Sequence, residues 1–248
     1  GELPPLMLAG LLYAGSGVGL LSVFLVRSRG ENKGSPLARR DAPWLGGAIL
    51  FGGIVAPVSL MTGLQATPSS TAALLLNLEG LFTALIAWFV FKENVGRRVA
   101  AGMALILAAG LILAIPQGDV AVRTGSLLVA AACVCWAVDN NLTQRVSGGD
   151  PLLIAGLKGL VAGMVNIGIA ASLHQAMPSL GIASAAMVIG LLGYGVSLVL
   201  FVLALRHLGT ARTGAYFSSA PFIGAAVSLV LLREPVGLPY LVAAALMA

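Results

Sequence analysis

Long apolar runs separated by short links constrain this chain more than any other feature. Nine such runs follow one another, and the first eight are each about 18–25 residues long, enough for a helix to cross a hydrocarbon layer of about 30 Å. We place them at Pro5–Val26, Trp44–Gln65, Pro68–Phe91, Arg98–Ile115, Gly125–Arg145, Leu152–Leu173, Ile182–Arg206, Thr210–Leu232 and Leu238–Ala248. Only 9% of the 248 residues are charged and 58% are hydrophobic, more apolar surface than an aqueous fold could bury. The sequence therefore predicts an all-α, polytopic membrane helix bundle.

Basic residues are distributed unequally between the links. If alternate links lie on opposite sides of the bilayer, one side receives eleven Lys and Arg residues and the other only two, Arg123 and Arg233. The eleven are Arg27, Arg29, Lys33, Arg39, Arg40, Lys92, Arg97, Arg98, Arg145, Arg206 and Arg212. This bias predicts that the basic side, with the Ser28–Pro43 link, is cytoplasmic in a bacterial-type inner membrane. The net charge of +5 therefore reflects orientation in a lipid bilayer and does not indicate nucleic-acid binding.

The chain also repeats itself. Pro5–Leu11 matches Pro151–Leu157 at five of seven positions. Further on, Glu93 aligns with Glu234, and one residue after each glutamate comes a Val-Gly pair. We take residues 1–118 and 124–248 as two related halves. Equivalent spans are five spans apart, an odd number, so they must cross the membrane in opposite directions. We therefore expect two inverted five-helix repeats, ten spans when complete, with the first missing here and the last truncated.

Four stretches carry a resemblance to a known family. They are Ser69–Leu75, Leu78–Leu85 followed by Lys92-Glu93, Gly125–Leu128 leading to Cys135–Ala137, and Ser219–Pro221 running into Arg233–Pro235. On these residues essentially the whole chain resembles the EamA family of the drug/metabolite transporter superfamily. The resemblance implies ten helices in two inverted halves, and export or uptake of small metabolites such as amino acids. The family commonly has a mid-span proline in both halves, whereas here the first half has Gly80 and only the second keeps Pro221.

Glu79 is the main candidate for a functional residue, because it lies near the middle of its span. A charged side chain there costs roughly 2.5–3.5 kcal/mol, so it should face the protein interior or a wet cavity. Asn77 lies nearby, and Gly80 permits close approach of another backbone. We interpret these residues as a substrate-binding or proton-coupling site. The alternative is a protonated glutamate that only joins two helices.

The equivalent stretch of the second half also carries polar residues and a proline. It contains Tyr216, Ser218, Ser219 and Pro221. Pro221 removes one helical hydrogen bond and frees a carbonyl for a ligand or a hydroxyl. Breaks at matching positions of two halves indicate a transporter site, although a kink that serves packing is the alternative.

Asp139 and Lys158 form a second constellation. Each lies roughly 9–10 Å from the cytoplasmic face on consecutive spans, so we expect an intramembrane ion pair that is structural or part of a gate. Secondary site candidates are Trp136, Asn140, Asn166 and Tyr194. Glycines at Gly15, Gly19, Gly159 and Gly163 have the spacing of close helix packing.

No Walker motif, zinc-ligand spacing or nucleophile elbow is present in the sequence. We therefore expect no cofactor, no metal and no enzyme activity, and interpret Cys133 and Cys135 as packing residues. The sequence favours a secondary transporter of small organic metabolites, with protons as a further candidate ligand and a homodimer left open. A structural or signalling membrane protein is the alternative, and an integral-membrane enzyme is less favoured because few ionisable residues lie within the spans.

Overall fold

The computed structural model describes residues 3–28, 37–93, 96–114, 120–217, 220, 223, 227, 231 and 237–247. Within these residues the chain is all-helical and has no β-strand. The α-helices are α1 (Pro5–Ser28), α2 (Ala42–Ala48), α3 (Ala56–Leu64), α4 (Ser69–Leu75), α5 (Leu78–Phe89), α6 (Arg97–Ala114), α7 (Val120–Val146), α8 (Pro151–Ser172), α9 (Leu180–Ile189), α10 (Val196–Leu208), α11 (Thr210–Phe217) and α12 (Leu238–Met247). Two π-helical segments, π1 (Ile49–Val55) and π2 (Gly190–Gly195), join α2 to α3 and α9 to α10.

Six stretches of the described chain are long and apolar enough to cross a membrane. They are Pro5–Ser28, Arg39–Leu64, Ser69–Phe89, Val122–Val146, Pro151–Ser172 and Leu180–Leu208. Each coincides with one of the predicted runs, so the predicted all-α class is confirmed for these residues. Large apolar side chains also point outward, such as Leu180, which is 86% exposed. In a bilayer such side chains meet lipid and need no protein cover.

The chain divides into two compact units. The first unit contains Gly1–Val58 and Leu142–Gly209, and the second contains Ser59–Asn141 and Thr210–Ala248. Each unit therefore contains residues from both of the halves that the sequence repeat predicts. The halves themselves remain a prediction.

In the first unit, α1 and α8 pack antiparallel through small residues. Gly10 of α1 lies against Ile167 of α8, and Gly17 lies against Leu160, so the two helices run in opposite directions. A Cβ atom on Gly17 would lie 2.1 Å from the backbone nitrogen of Leu160, closer than any side chain could fit. A Cβ atom on Gly163 would lie 2.4 Å from the backbone nitrogen of Ala14. Of the glycines that the sequence selects, Gly159 and Gly163 pack in this contact, whereas Gly15 and Gly19 face Met187 of α9 and Leu191 of π2.

The second unit has its own apolar core. Its buried members come from α4, α5, α6 and α7, and they are Ala72, Leu75, Leu78, Leu81, Ala84, Met103, Val129 and Cys133. A second cluster joins α4, α6 and α12 through Leu74, Ala109 and Ala243. This packing fixes α5 and α7 side by side, and the polar residues between these two helices form the candidate site.

Candidate functional site

The apolar stretch Ser69–Phe89 does not form one continuous α-helix. It turns at Leu76 and Asn77, between the end of α4 and the start of α5. At this turn the backbone N–H of Asn77 donates to the carbonyl of Leu74 at 3.0 Å, and its side-chain amide donates to the same carbonyl at 3.2 Å. Asparagine offers the backbone such local alternatives to the helical pattern. The break therefore places Glu79 in the first turn of α5.

The side chain of Asn140 on α7 joins Glu79 to Thr83. Its amide nitrogen donates to Glu79 Oε1 at 2.9 Å and to Thr83 Oγ1 at 3.1 Å. Asn140 and Thr83 are buried, whereas Glu79 is half-buried. Because Thr83 lies one turn after Glu79, the two side chains share a face of α5 and one amide reaches both. This network offsets part of the cost of holding a carboxylate in apolar surroundings.

Asn141 contacts the same turn of α5 from the next position of α7. Its amide nitrogen donates to the carbonyl of Thr83 at 3.1 Å and to the carbonyl of Ala137 at 2.9 Å. Asn141 is 2% exposed, and its Oδ1 atom has no hydrogen-bond partner among the described residues. We refer to Glu79, Thr83, Asn140 and Asn141 as the Glu79 cluster. Both asparagines in it direct their N–H groups at protein oxygens.

Cys133 donates a hydrogen bond to a backbone carbonyl that loses its usual helical donor at the break. In a continuous helix the carbonyl of Leu75 would accept from the N–H of Glu79. Here that N–H donates to the carbonyl of Leu76 at 3.1 Å instead. The thiol of Cys133 donates to the carbonyl of Leu75 at 3.5 Å. Cys133 is thus a buried packing residue, as the sequence suggested, and its thiol also donates to a backbone carbonyl beside the break.

Thr83 and Asn141 belong to the cluster, but the sequence reasoning did not select them. A signal for Thr83 existed, because it lies four positions after Glu79 and therefore on the same face of a helix. Asn141 could have been suspected from its place beside Asn140 in an apolar run. Whether either asparagine faces α5 depends on how the helices pack, and in the structure both do.

The predicted partner stretch of the second half lies largely outside the described residues, as do Ser218, Ser219 and Pro221. Tyr216 is described, on α11, and is 73% exposed. A Cβ atom on Gly214 of α11 would lie 3.5 Å from Thr83 Cγ2 and 3.7 Å from the Cα atom of Gly80. The chain therefore brings α11 against α5 at the turn that carries the Glu79 cluster, and Gly80 is part of that close approach.

The predicted ion pair joins residues of different units. Asp139 belongs to the second unit and Lys158 to the first, and each is 6% exposed. Within the first unit, Lys158 donates from Nζ to Thr143 Oγ1 at 2.8 Å. The pairing of Asp139 with Lys158 stays a prediction. Trp136 lies on α7 one turn before Asn140 and is half-buried.

Asn166 and Tyr194 belong to a separate polar network in the first unit. Asn166 donates to the carbonyl of Gly53 in π1 at 2.7 Å. Tyr194 in π2 donates its hydroxyl to that of Tyr13 at 3.0 Å, and their rings meet edge to face with centroids 4.6 Å apart. The hydroxyl of Tyr13 in turn lies 3.5 Å from the carbonyl of Gly52 in π1. The network therefore connects the two π-helical segments, which a hydropathy pattern cannot reveal.

Comparison with known proteins now identifies the family. The sequence profile of the EamA-like transporter family matches residues 1–115 and again residues 123–248. The chain belongs to the EamA-like transporter family. The resemblance inferred from the motif residues is thereby confirmed, and together with the six apolar spans it identifies an EamA-like, multi-pass membrane protein.

Curated relatives of this EamA-like chain are named as transporters. It is 30% identical over 220 residues to an uncharacterized transporter of Methanothermobacter thermautotrophicus, and the match covers 85% of the chain and 63% of that relative. It is 27% identical over 186 residues to the uncharacterized transporter YyaM of Bacillus subtilis, with 68% and 59% covered. A probable amino-acid metabolite efflux pump of Salmonella typhimurium is 31% identical over 86 residues, with 34% and 29% covered. The chain thus spans about three fifths of the length of the first two relatives.

A solved crystal structure has the same fold. It superimposes with a TM-score of 0.72 at 20% sequence identity, and the match covers 100% of this chain and 85% of the other. At this identity the similarity concerns the fold alone. The EamA-like helical arrangement is therefore one that an experimental structure also adopts.

Proposed function

We propose that the full-length protein carrying this chain is a secondary transporter of small organic metabolites in a bacterial-type inner membrane. The observation that carries the proposal is the Glu79 cluster, a carboxylate held by a buried amide at a helix break inside a membrane-spanning stretch. Discontinuous helices are a recurrent way of building substrate sites in secondary transporters, because their ends present polar groups within the bilayer. The names of the relatives agree with this class of protein.

We propose that the two halves are inverted and that transport proceeds by alternating access between them. Helices recur at the spacing of the aligned pair Glu93 and Glu234, which are 141 positions apart. The segment π2 begins 141 residues after π1, and α11 begins 141 residues after α4. Moreover, α1 and α8 carry the matching Pro5–Leu11 and Pro151–Leu157 runs, and they pack antiparallel. Equivalent helices that run in opposite directions are what an inverted repeat requires.

In this proposal Glu79 binds the polar group of the substrate or carries the coupling proton. Its position in the first turn of α5 sets the carboxylate near the positive end of that helix. Asn140 fixes the carboxylate from α7, so a movement of α7 relative to α5 would change the exposure and the partners of Glu79. Because Thr83 also accepts hydrogen bonds from both asparagines, a shift of α7 would alter all the hydrogen bonds of the cluster together.

Metabolite profiles of cells with and without the full-length protein test the transport function. We expect the amount of at least one small organic metabolite in the medium to change when the protein is produced, with an opposite change inside the cells. A protein present in the membrane at normal levels that leaves every such pool unchanged, in both rich and minimal medium, would contradict the proposal.

A further inference from the structure

We propose that a surface of the first unit binds the headgroup of an anionic phospholipid. The surface consists of four exposed residues, Arg39, Arg40, Trp44 and Arg145, and we refer to it as the Arg-Trp surface. The inference does not depend on the transport function, since any membrane protein with this surface would meet such lipids. Three features lead to it: the depth of the surface in the bilayer, its charge, and the apolar side chains beside it.

The Arg-Trp surface lies where two membrane-crossing stretches end. Arg39 and Arg40 are the first two residues of one stretch, and Arg145 is the residue before the last of another, Val122–Val146. The guanidinium of Arg145 lies over the ring of Trp44, 6.0 Å from its centroid, so the two ends belong to the same face of the bilayer. Side chains at the end of an apolar stretch reach the level of the lipid headgroups, where tryptophan is also enriched. Two separate segments of the chain thus form one surface at headgroup depth.

The charge of the surface selects an anion. Three of its four residues are arginines, and the neighbouring carboxylate, that of Asp41, already accepts a hydrogen bond from the backbone N–H of Ala38 at 2.9 Å. Among the described residues, neither Arg39 nor Arg40 has an ion-pair partner. A guanidinium presents N–H donors in a planar fork that fits a phosphate. Because Arg145 is already engaged by the protein, we assign the phosphate contacts to the other two arginines.

Apolar side chains beside the arginines favour a lipid over a soluble phosphate. Trp44 is exposed, and so are Leu50 and Phe51 further along the same stretch. A Cβ atom on Gly46 would meet nothing within 4 Å, so the described residues leave that side of α2 uncovered. A phospholipid carries a negative phosphate and apolar chains in one molecule, and it therefore matches both parts of this surface. A free phosphate matches only the arginines.

Quenching of tryptophan fluorescence by brominated lipids tests this inference in the full-length protein, reconstituted into phosphatidylcholine liposomes. Trp44 is kept as the one tryptophan, with phenylalanine at every other tryptophan position. We would titrate phosphatidylglycerol or phosphatidylcholine that carries bromine near the top of its acyl chains, in both leaflets, so the readout does not depend on orientation. We expect phosphatidylglycerol to quench Trp44 at a mole fraction at least about fivefold lower, the effect of one basic residue near an anionic headgroup.

Arg39→Gln/Arg40→Gln removes the proposed phosphate contacts and keeps Trp44 as the reporter. We expect the preference for phosphatidylglycerol to disappear in this double variant and to fall partway in either single variant. Arg39→Lys/Arg40→Lys should retain part of it, since lysine keeps the charge but lacks the planar fork. Arg97→Gln/Arg98→Gln is the matched control, because it removes two exposed arginines at the start of α6, in the other unit. We expect this control to keep the full preference.

Three results would overturn the inference. Equal quenching of Trp44 by the two lipids, with both arginines present, would show that the surface does not select anionic headgroups. An equal loss of preference in Arg97→Gln/Arg98→Gln would show that the effect depends on total charge, the property that also sets orientation. Relief of the quenching by inorganic phosphate, at an ionic strength where sodium chloride has no effect, would indicate a site for a soluble anion instead of a lipid.

Discussion

Thr83 accepts a hydrogen bond from each asparagine of the Glu79 cluster, from Asn140 at its hydroxyl and from Asn141 at its carbonyl. It is 0% exposed, so neither bond can be replaced by one to water. A buried threonine between two amides holds α7 at a fixed position along α5. The position of the Glu79 carboxylate therefore depends on a residue that carries no charge.

Thr83→Val tests this role at the level of a single atom, because valine has the same shape without the hydroxyl. Asn140 would lose one of its two acceptors in a buried site, so we expect the free energy of unfolding to fall by about 1–3 kcal/mol. Thr71→Val is the control, since Thr71 lies half-buried on α4 and the structure records no side-chain hydrogen bond for it. Denaturant titration of the purified protein measures both changes. Equal stability of the two variants would show that the Asn140–Thr83 bond contributes little.

Helix packing in the first unit depends on where glycines face a neighbouring backbone. Gly163 and Gly168 lie on the same helix, α8, but only Gly163 meets another chain segment closely. A Cβ atom would lie 2.4 Å from the backbone nitrogen of Ala14 at the first position, whereas nothing lies within 4 Å at the second. The two positions therefore form a matched pair within one element.

We expect Gly163→Ala to destabilise the protein by about 1–3 kcal/mol, because α1 and α8 would have to move apart. Gly168→Ala should be neutral or stabilise the protein by up to about 1 kcal/mol, since alanine favours the helix and meets no neighbour. Melting temperatures of the two variants in the same detergent give the comparison. A lower melting temperature for Gly168→Ala than for Gly163→Ala would contradict the described packing of α1 on α8.

The spans could be predicted from the sequence, but their interruptions could not. Apolar length alone located the six membrane-crossing stretches, since burial in lipid requires it. The segments π1 and π2 are rich in Gly, as are several regular helices, and the turn between α4 and α5 is marked by one polar residue, Asn77. Carbonyls of π1 accept tertiary hydrogen bonds, such as the bond from Asn166 to the carbonyl of Gly53, which joins residues 113 positions apart. Glu79 could be selected because a membrane charge is costly, whereas its partners depend on the packing of α7 on α5.

Orientation in the membrane is a property of the whole molecule that the basic residues predict. The Ser28–Pro43 link should be cytoplasmic and the Pro116–Thr124 link periplasmic. We expect Ala38→Cys to resist an impermeant thiol reagent in intact spheroplasts and Ala176→Cys, in the link between α8 and α9 on the opposite side, to react, after replacement of Cys133 and Cys135. Both positions are exposed, so accessibility within the protein does not limit the reaction. Reaction of Ala38→Cys in intact spheroplasts would reverse the assigned orientation.

The account as a whole depends on Glu79 acting in transport and not only in holding two helices together. The most direct measurement is the transport rate of Glu79→Gln, purified at full length and reconstituted into liposomes, for the metabolite found in cells. We predict normal membrane expression and a rate at least about tenfold below wild type, about 1.4 kcal/mol in activation free energy. Glu93→Gln is the control and should stay close to wild type, because Glu93 accepts from Thr210 Oγ1 and the backbone N–H of Ala211, outside the Glu79 cluster. Glutamine keeps the shape and accepts the bond from Asn140, so a purely structural glutamate would tolerate the change. A wild-type rate in Glu79→Gln would contradict the central claim.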